Sequence, residues 1–229
     1  ICPHSNAVAF GPARFAPGDE FPLLYTNMYN NCAHAEDRME GVCCVYRLWR
    51  EGGTFRSSLV QLLRVGFVED RDLWKSCGPD APDVRPYGNF AVDAGRGLLH
   101  AFVMRDREPL TRTFTFRLPE VSAGALSARF GVPEAVLRES DILDRFDSPY
   151  MRYMQGACCH SGRIWSVEGF AGGTENPPAL RILDPAAHRE LFHADLSDYG
   201  LPIEPEFIEF AGGVCYYSDA SGRVYTLEV

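Results

Sequence analysis

Four segments of the chain begin alike, and this repetition constrains the fold more than any other feature. They are residues 4–10 (HSNAVAF), 87–93 (YGNFAVD), 153–159 (YMQGACC) and 204–210 (EPEFIEF). Each places a polar or aromatic residue, a spacer and an amide or carboxylate before a run of small or apolar residues. Alternating apolar patterns that end at Gly, Pro, Asn or Asp dominate the chain, which indicates strands rather than helices.

Each opening segment is followed by further predicted strands. The second strands are predicted at residues 21–26, 98–104, 163–167 and 213–218. The third strands are predicted at residues 43–48, 112–118, 179–183 and 223–229. Fourth strands are predicted at residues 59–65, 141–146 and 190–195, whereas the last repeat stops after its third strand. Tight turns at 94–97, 161–162 and 211–213 join the first and second strands of three repeats.

A four-stranded meander that repeats along a chain is typical of a β-propeller, in which each meander is one antiparallel blade around a central channel. We therefore predict an all-β fold and a single propeller domain over residues 1–229. A strand upstream of Ile1 would complete the last blade, so we expect a missing N-terminal part. A β-sandwich has a similar strand content, but it would not explain the shared opening residues.

Residues 120–139 interrupt the repeat. This segment is richer in Ala, Leu, Arg and Glu, and it places Leu126 and Phe130 four residues apart. We predict a short helical insertion here, of one or two turns, before the fourth strand of the second blade. Such an insertion would cover a blade edge.

The net charge excludes one class of partner. The chain carries a formal charge of −9 over 229 residues and contains no dense Lys or Arg run. A nucleic-acid partner is therefore not expected, because phosphate binding needs a concentrated basic surface. No stretch approaches the roughly 18 consecutive apolar residues of a membrane span. The compartment stays open, since any targeting signal would precede Ile1.

The eight cysteines favour buried free thiols. The pairs 43–44 and 158–159 lie in predicted strands, where neighbouring side chains face opposite sides and cannot readily bond to each other. Cys2 with His4 and Cys158–Cys159 with His160 could be fragments of a zinc site, but no Cys-x-x-Cys motif supports one.

Polar residues at the starts of the first strands form the candidate site. Because first strands line a propeller channel and positions two apart face the same way, one predicted channel ring consists of Asn6, Asn89, Gln155 and Glu206. A second layer nearer the mouth consists of His4, Tyr87, Tyr153 and Glu204, with Arg85 close to the same opening. Convergent polar side chains of this kind predict a site for a small molecule or an ion. Alternatively, these side chains bond only to neighbouring backbone or channel water.

Calcium is the cofactor that this set of oxygens suggests. Glu204 and Glu206 place two carboxylates in one repeat, which is unfavourable without a cation nearby. Amide and carboxylate oxygens are also the ligands that Ca²⁺ prefers. The chain contains no Gly-x-Ser-x-Gly, His-Glu-x-x-His or phosphate-binding loop. We therefore favour a non-catalytic ligand-binding or scaffold protein over an enzyme, and a protein partner at the outer loops is a third hypothesis.

The opening motifs also carry a resemblance to known propellers. At residues 4–6 (HSN), 21–25 (FPLLY), 155–157 (QGA) and 204–206 (EPE), the sequence resembles a family of bacterial propeller proteins, many of them from gut Bacteroidetes. The EPE opening is also similar to calcium-dependent six-bladed lactonases and related hydrolases. That similarity implies a metal held by Asn6, Asn89 and Glu206, and a lactonase-like activity at the channel mouth as the alternative function. Gln155 departs from the pattern, and no residue matches a catalytic Asp. Because propellers of this kind usually have more than four blades, the resemblance also implies five or six blades in the complete protein.

Overall fold

The computed structural model describes residues 5–28, 41–66, 89–105, 110–151 and 153–229, and within these ranges the fold is a four-bladed β-propeller. Four sheets follow one another along the chain, as the repeat predicts. The predicted all-β class is confirmed. Among these residues, no helix is long and apolar enough to cross a membrane.

Each blade begins with a short inner strand and continues outward by antiparallel pairing. Blade 1 contains β1 (Val8–Phe10), β2 (Leu24–Met28), β3 (Val42–Glu51) and β4 (Thr54–Val65). Blade 2 contains β5 (Phe90–Asp93), β6 (Leu98–Arg105), β7 (Leu110–Arg117) and, after a hairpin of β8 (Ala125–Leu126) and β9 (Pro133–Leu137), β10 (Asp144–Pro149). Blade 3 contains β11 (Met154–His160), β12 (Arg163–Glu168), β13 (Ala179–Asp184) and β14 (Arg189–Asp195). Blade 4 contains β15 (Pro205–Ala211), β16 (Val214–Asp219) and β17 (Val224–Leu227).

Two-residue turns fix the register between inner and second strands. Ser161 and Gly162 both have positive φ, 51° and 73°, as do Gly212 and Gly213, with 59° and 82°. Two consecutive positive φ angles give the turn whose twist matches that of a β-hairpin. Each of these turns follows an inner strand. The inner strands contact one another around the axis, so the residues at their starts and at their ends mark the two ends of the channel.

The cores lie between neighbouring blades. One cluster joins blades 1 and 2 through side chains such as Leu63 and Phe116, and a second joins blades 2 and 3 through Phe102 and Ile164. A third joins blades 3 and 4 and includes Tyr217. Deleting a fully buried aromatic side chain such as Phe102 costs about 3–5 kcal/mol of stability, so these clusters hold the blades in place. Within the described ranges, no core cluster joins blade 4 to blade 1.

The helical insertion predicted near residues 120–140 is wrong. This segment forms β8 and β9, and β9 pairs in parallel with Leu62–Val65 of blade 1. Gly124 and Gly131 have positive φ of 108° and 67°, which breaks a helix but permits a hairpin. Pairing with β4 therefore overrides the local preference for helix, and only a 3-10 turn at Glu139–Asp141 is helical. The hairpin does extend the outer edge of a blade, as a covering insertion would.

Candidate functional site

Inner strands of three blades come close together around Gly156 of β11. A Cβ atom placed on Gly156 of β11 would lie 3.2 Å from Cα of Phe207 in β15 and 3.3 Å from the carbonyl oxygen of Asn6. Three blades therefore meet at backbone contact around this glycine, and only a residue without a side chain fits there without displacing them. The channel is narrow at this level.

Near this contact, side-chain amides form hydrogen bonds from one blade to another. We call the group formed by Asn6, Asn27, Asn89, Gln155 and Glu204 the amide network. Asn27 is 1% exposed, and its Oδ1 accepts hydrogen bonds of 2.8 Å from the backbone N–H groups of both Asn6 and Ala7. Its Nδ2 donates to Oδ1 of Asn89 at 2.6 Å. Asn27 thereby satisfies the start of blade 1 and ties it to blade 2.

Blade 3 supplies the acceptor that both neighbouring asparagines share. The carbonyl oxygen of Met154 accepts from Nδ2 of Asn89 at 2.7 Å and from Nδ2 of Asn6 at 3.4 Å. Nδ2 of Asn6 also donates to Oε1 of Gln155 at 3.0 Å. Nε2 of Gln155 in turn donates to Oε1 of Glu204 at 2.6 Å, which brings blade 4 into the network.

Two of the predicted ring residues are placed by β-bulges. The register between β11 and β12 shifts between Met154 and Gly156, so Gln155 is the extra residue. The register between β15 and β16 shifts in the same way between Pro205 and Phe207, so Glu206 is the extra residue. A bulge redirects a side chain out of the regular alternation. The two blades therefore use the same local device at equivalent positions.

The structure brings four of the nine predicted site residues together. Asn6, Asn89, Gln155 and Glu204 belong to the amide network, whereas the half-buried Glu206 makes no hydrogen bond or ion pair with the described residues. Tyr153 has a positive φ of 58° and packs on Phe170, with ring centroids 4.4 Å apart. The predicted residues His4, Arg85 and Tyr87 lie outside the described residues.

Asn27 is the network residue that the repeat pattern misses. It lies in β2 and not at the start of an inner strand, so it is not equivalent to any opening residue of the four repeats. A sequence signal does exist, because Asn27 is an amide near the end of an otherwise apolar strand. A buried amide at such a position needs partners, and here the partners are the inner strands.

The proposed calcium ligands fit a cation only in part. Oδ1 of Asn6 is buried without a hydrogen-bond partner, which leaves one oxygen able to accept a ligand. Oδ1 of Asn89, in contrast, already accepts from Asn27, and a cation would have to displace that bond. Among the residues that the structure describes, no group of three or more His, Cys, Asp and Glu side chains is placed to hold a metal ion.

A cavity opens at the opposite end of the channel, where the inner strands finish. Its volume is about 680 Å³, within the range of small-molecule sites. All four inner strands contribute to its walls, which include Val8, Phe10, Asp93, Arg96, His160, Phe207, Glu209 and Phe210. We call this space the strand-end cavity. Sequence reasoning overlooked it because the repeats match at the starts of the inner strands and diverge at their ends.

The strand-end cavity follows from the open seam between blades 4 and 1. Ile208 and Phe210 of β15 pack toward blade 3, so Phe207 and Glu209 point to the other face of that strand. Ala9 of β1 packs toward blade 2, so its neighbours Val8 and Phe10 also point away from their core. The two faces that pack on no other blade therefore meet across the cavity.

Of the two carboxylates in the cavity, Asp93 has a basic partner and Glu209 has none among the described residues. Asp93 is buried, and it lies 3.7 Å from Nε of Arg96 while accepting the backbone N–H of the same residue. Glu209 accepts only the backbone N–H of Phe210, at 2.8 Å, and forms no ion pair with a described residue. Burial without a counter-ion raises the pKa of the Glu209 carboxyl to about 7.

The cavity thiol is not suited to nucleophilic chemistry. Cys159 lines the cavity, and burial raises the pKa of its thiol well above the usual range. The reactive form of cysteine is the thiolate, so this group stays protonated and weakly nucleophilic at neutral pH. The described cysteines 43, 44, 158, 159 and 215 are all free, which confirms the prediction of unpaired thiols for them.

Comparison with known proteins assigns neither a family nor a function to the chain. No protein-family model matches the chain, and no curated protein matches it, so membership of the bacterial family stays a prediction. The chain is similar to the computationally designed Ika4 protein, with 8% identity, a TM-score of 0.38 and coverage of 100% of this chain and 93% of that one. It is also similar to an engineered GH43 glycoside hydrolase with endo-xylanase and exo-arabinofuranosidase activity, with 11% identity and a TM-score of 0.47. That match covers 96% of this chain and 37% of the hydrolase.

Replacing Asn27 with alanine should destabilise the propeller. The change leaves two backbone N–H groups and Oδ1 of Asn89 without their partner, so we expect a loss of about 2–4 kcal/mol in the free energy of unfolding. Urea denaturation measures it. Asn176→Ala is the control, because the Asn176 side chain makes no hydrogen bond with the described residues, and a change of about 0.5 kcal/mol or less is expected. Equal effects of the two substitutions would contradict a structural role for the network.

The ionisation of Glu209 should make the protein less stable as the pH rises. Its pKa is about 7 in the folded protein and 4.5 in an exposed chain, so the folded state retains a proton that the unfolded state releases between these values. The free energy of unfolding should therefore fall as the pH rises through this window. Parallel denaturation of the parent and Glu209→Gln across the window measures the effect, and the variant should lose that part of the slope. Identical slopes would contradict the burial of an unpaired carboxyl.

Proposed function

We propose that this protein is a non-catalytic ligand-binding propeller that holds a small molecule in the strand-end cavity. The observation that carries the proposal is the position of that cavity. It lies on the channel axis, it is about 680 Å³ in volume, and it receives side chains from all four inner strands. Convergence of polar and aromatic groups on one concave site is characteristic of ligand binding.

The other end of the channel serves as the support for this site. There the amide network and the backbone contact at Gly156 hold the inner strands together. A ligand placed among those amides would have to replace bonds that most of the side chains already make with one another, since only Oδ1 of Asn6 is left without a partner among the described residues. The strand-end cavity requires no such exchange, because Glu209 has an oxygen free of partners among the described residues.

A non-catalytic role is supported by the chemistry of the cavity. Its thiol is held protonated, and His160 stacks on Phe210 with ring centroids 3.8 Å apart and an interplanar angle of 7°. A nucleophile needs a base within hydrogen-bond reach. No hydrogen bond joins Cys159 to His160 among the described residues, so the cavity offers recognition groups without an activated nucleophile.

Filling the cavity should abolish ligand binding without unfolding the protein. Ala211 ends β15, lines the cavity and is exposed, so Ala211→Trp should occupy the space without overpacking a core. Benzyl alcohol is a suitable neutral probe, and two-dimensional NMR should show shifts at backbone amides of Gly95, Gly162 and Ala211 in the parent protein. We expect these shifts to disappear in Ala211→Trp and to persist in the control Ala186→Trp, on an exposed turn of blade 3. No shifts at the cavity in the parent would overturn the proposal.

A second candidate is a metal-dependent hydrolase that uses Asn6, Asn89 and Glu206 as calcium ligands at the channel mouth. The buried, unpartnered Oδ1 of Asn6 favours it, as does the Glu206 carboxylate, which has no described partner. If Ca²⁺ were bound there, it would supply a Lewis acid at the mouth. The chain's own groups would contribute only oxygen ligands.

Calorimetry with Ca²⁺ tests this second candidate directly. If it is correct, the parent should bind the ion, and Glu206→Gln should weaken binding at least about tenfold because a carboxylate ligand is lost. Glu204→Gln is the matched control, since Glu204 is already engaged by Gln155 and should change affinity less. No heat of binding in the parent would end the calcium hypothesis while leaving the cavity proposal intact.

A further inference from the structure

The net charge of the strand-end cavity depends on Glu209, whose carboxylate has no ion-pair partner among the described residues. Its charged side chains are Asp93, Arg96 and Glu209. Asp93 and Arg96 lie side by side at 3.7 Å and cancel, whereas Glu209 has no cation near it among the described residues. When Glu209 is ionised, the cavity therefore carries one excess negative charge.

None of the described groups around Glu209 forms an ion pair with it. The same face of its own strand carries Phe207 and Ala211, and β16 places Tyr216 opposite it. Across the seam β1 presents Val8 and Phe10, and β11 contributes the protonated thiol of Cys159 and His160, which stacks on Phe210. From blade 2 come Asp93 and Arg96, which pair with each other. The place beside the Glu209 carboxylate is therefore open to a cation from outside the chain.

The walls beside Glu209 are aromatic. Phe10 is 46% exposed, so its ring is available to a ligand, and Phe207 lies two residues before Glu209 on the same face of β15. Aromatic faces attract organic cations, and the effect grows as the cation is desolvated. A carboxylate beside aromatic rings therefore offers both parts of an ammonium site.

From this arrangement we infer that the ligand of the strand-end cavity is a small organic cation, a primary or substituted amine attached to an apolar or aromatic body. The ammonium group pairs with Glu209, and the body packs against Phe10 and Phe207. This inference rests on the proposed function, since it names the ligand class for the same cavity. It assigns specificity to Glu209, which no repeat motif identifies.

The test compares three probes of similar size and different charge. Benzylamine is cationic, benzyl alcohol is neutral and phenylacetate is anionic. NMR titration at about pH 8, where Glu209 is ionised, should give benzylamine at least about tenfold tighter binding than benzyl alcohol and no measurable binding of phenylacetate. Glu209→Gln should remove the preference for the amine and leave the affinity for benzyl alcohol unchanged. In the parent, the preference should also diminish at about pH 5.5, where Glu209 is protonated and benzylamine stays charged.

The outcomes separate the two proposals. If benzyl alcohol and benzylamine bind equally well in the cavity, or if Glu209→Gln keeps the preference for the amine, the inference is overturned and the cavity remains a binding site. If none of the three probes shifts the cavity resonances, the proposed function fails and the inference fails with it. Glu206→Gln is the matched control, because Glu206 does not line the cavity, and this variant should keep the preference of the parent.

Discussion

The hydrogen bonds of Asn27 are the constraint on which the rest of the structure depends. Polar groups that become buried where the inner strands converge need hydrogen-bond partners. Asn27 accepts from two backbone N–H groups of blade 1 and donates to Asn89 of blade 2, and Met154 continues the chain of bonds into blade 3. Buried hydrogen-bond networks rigidify a structure through the members that are paired, and here Oδ1 of Asn6 has no hydrogen-bond partner among the described residues. The close approach at Gly156 joins blades 1, 3 and 4, and blade 4 enters the network through the bond from Gln155 to Glu204.

The two ends of the channel differ because of this network. At one end, amides from different blades contact one another and fill the space. At the other end, the inner strands diverge, and the faces of β1 and β15 that pack on no core leave the strand-end cavity between them. If the cavity binds a ligand as proposed, side chains carried on paired inner strands would lose less freedom on binding than mobile ones.

Sequence patterns predicted the fold well because a repeat reports the same physical environment several times. The four opening motifs located every inner strand, and the positive-φ turns at Ser161–Gly162 and Gly212–Gly213 followed from their residues. The segment 120–139 was misread because pairing with β4 outweighs the helical preference of Ala, Leu and Glu. Asn27 and Glu209 were missed for another reason. Each occurs once and not in every blade, and its importance comes from neighbours distant in sequence that no repeat can reveal.

The position of Glu209 argues for function more strongly than for stability. Val8, Phe10 and Phe207 on the same seam are apolar, and an apolar residue at position 209 would avoid the desolvation that raises the pKa of the carboxyl. Its one hydrogen bond, to the backbone N–H of Phe210, does not restore the pKa to its ordinary value. A residue that opposes stability where an apolar one would fit is typical of a site that acts on something else. In the strand-end cavity, a positively charged ligand would pair with the Glu209 carboxylate, which has no ion-pair partner among the described residues.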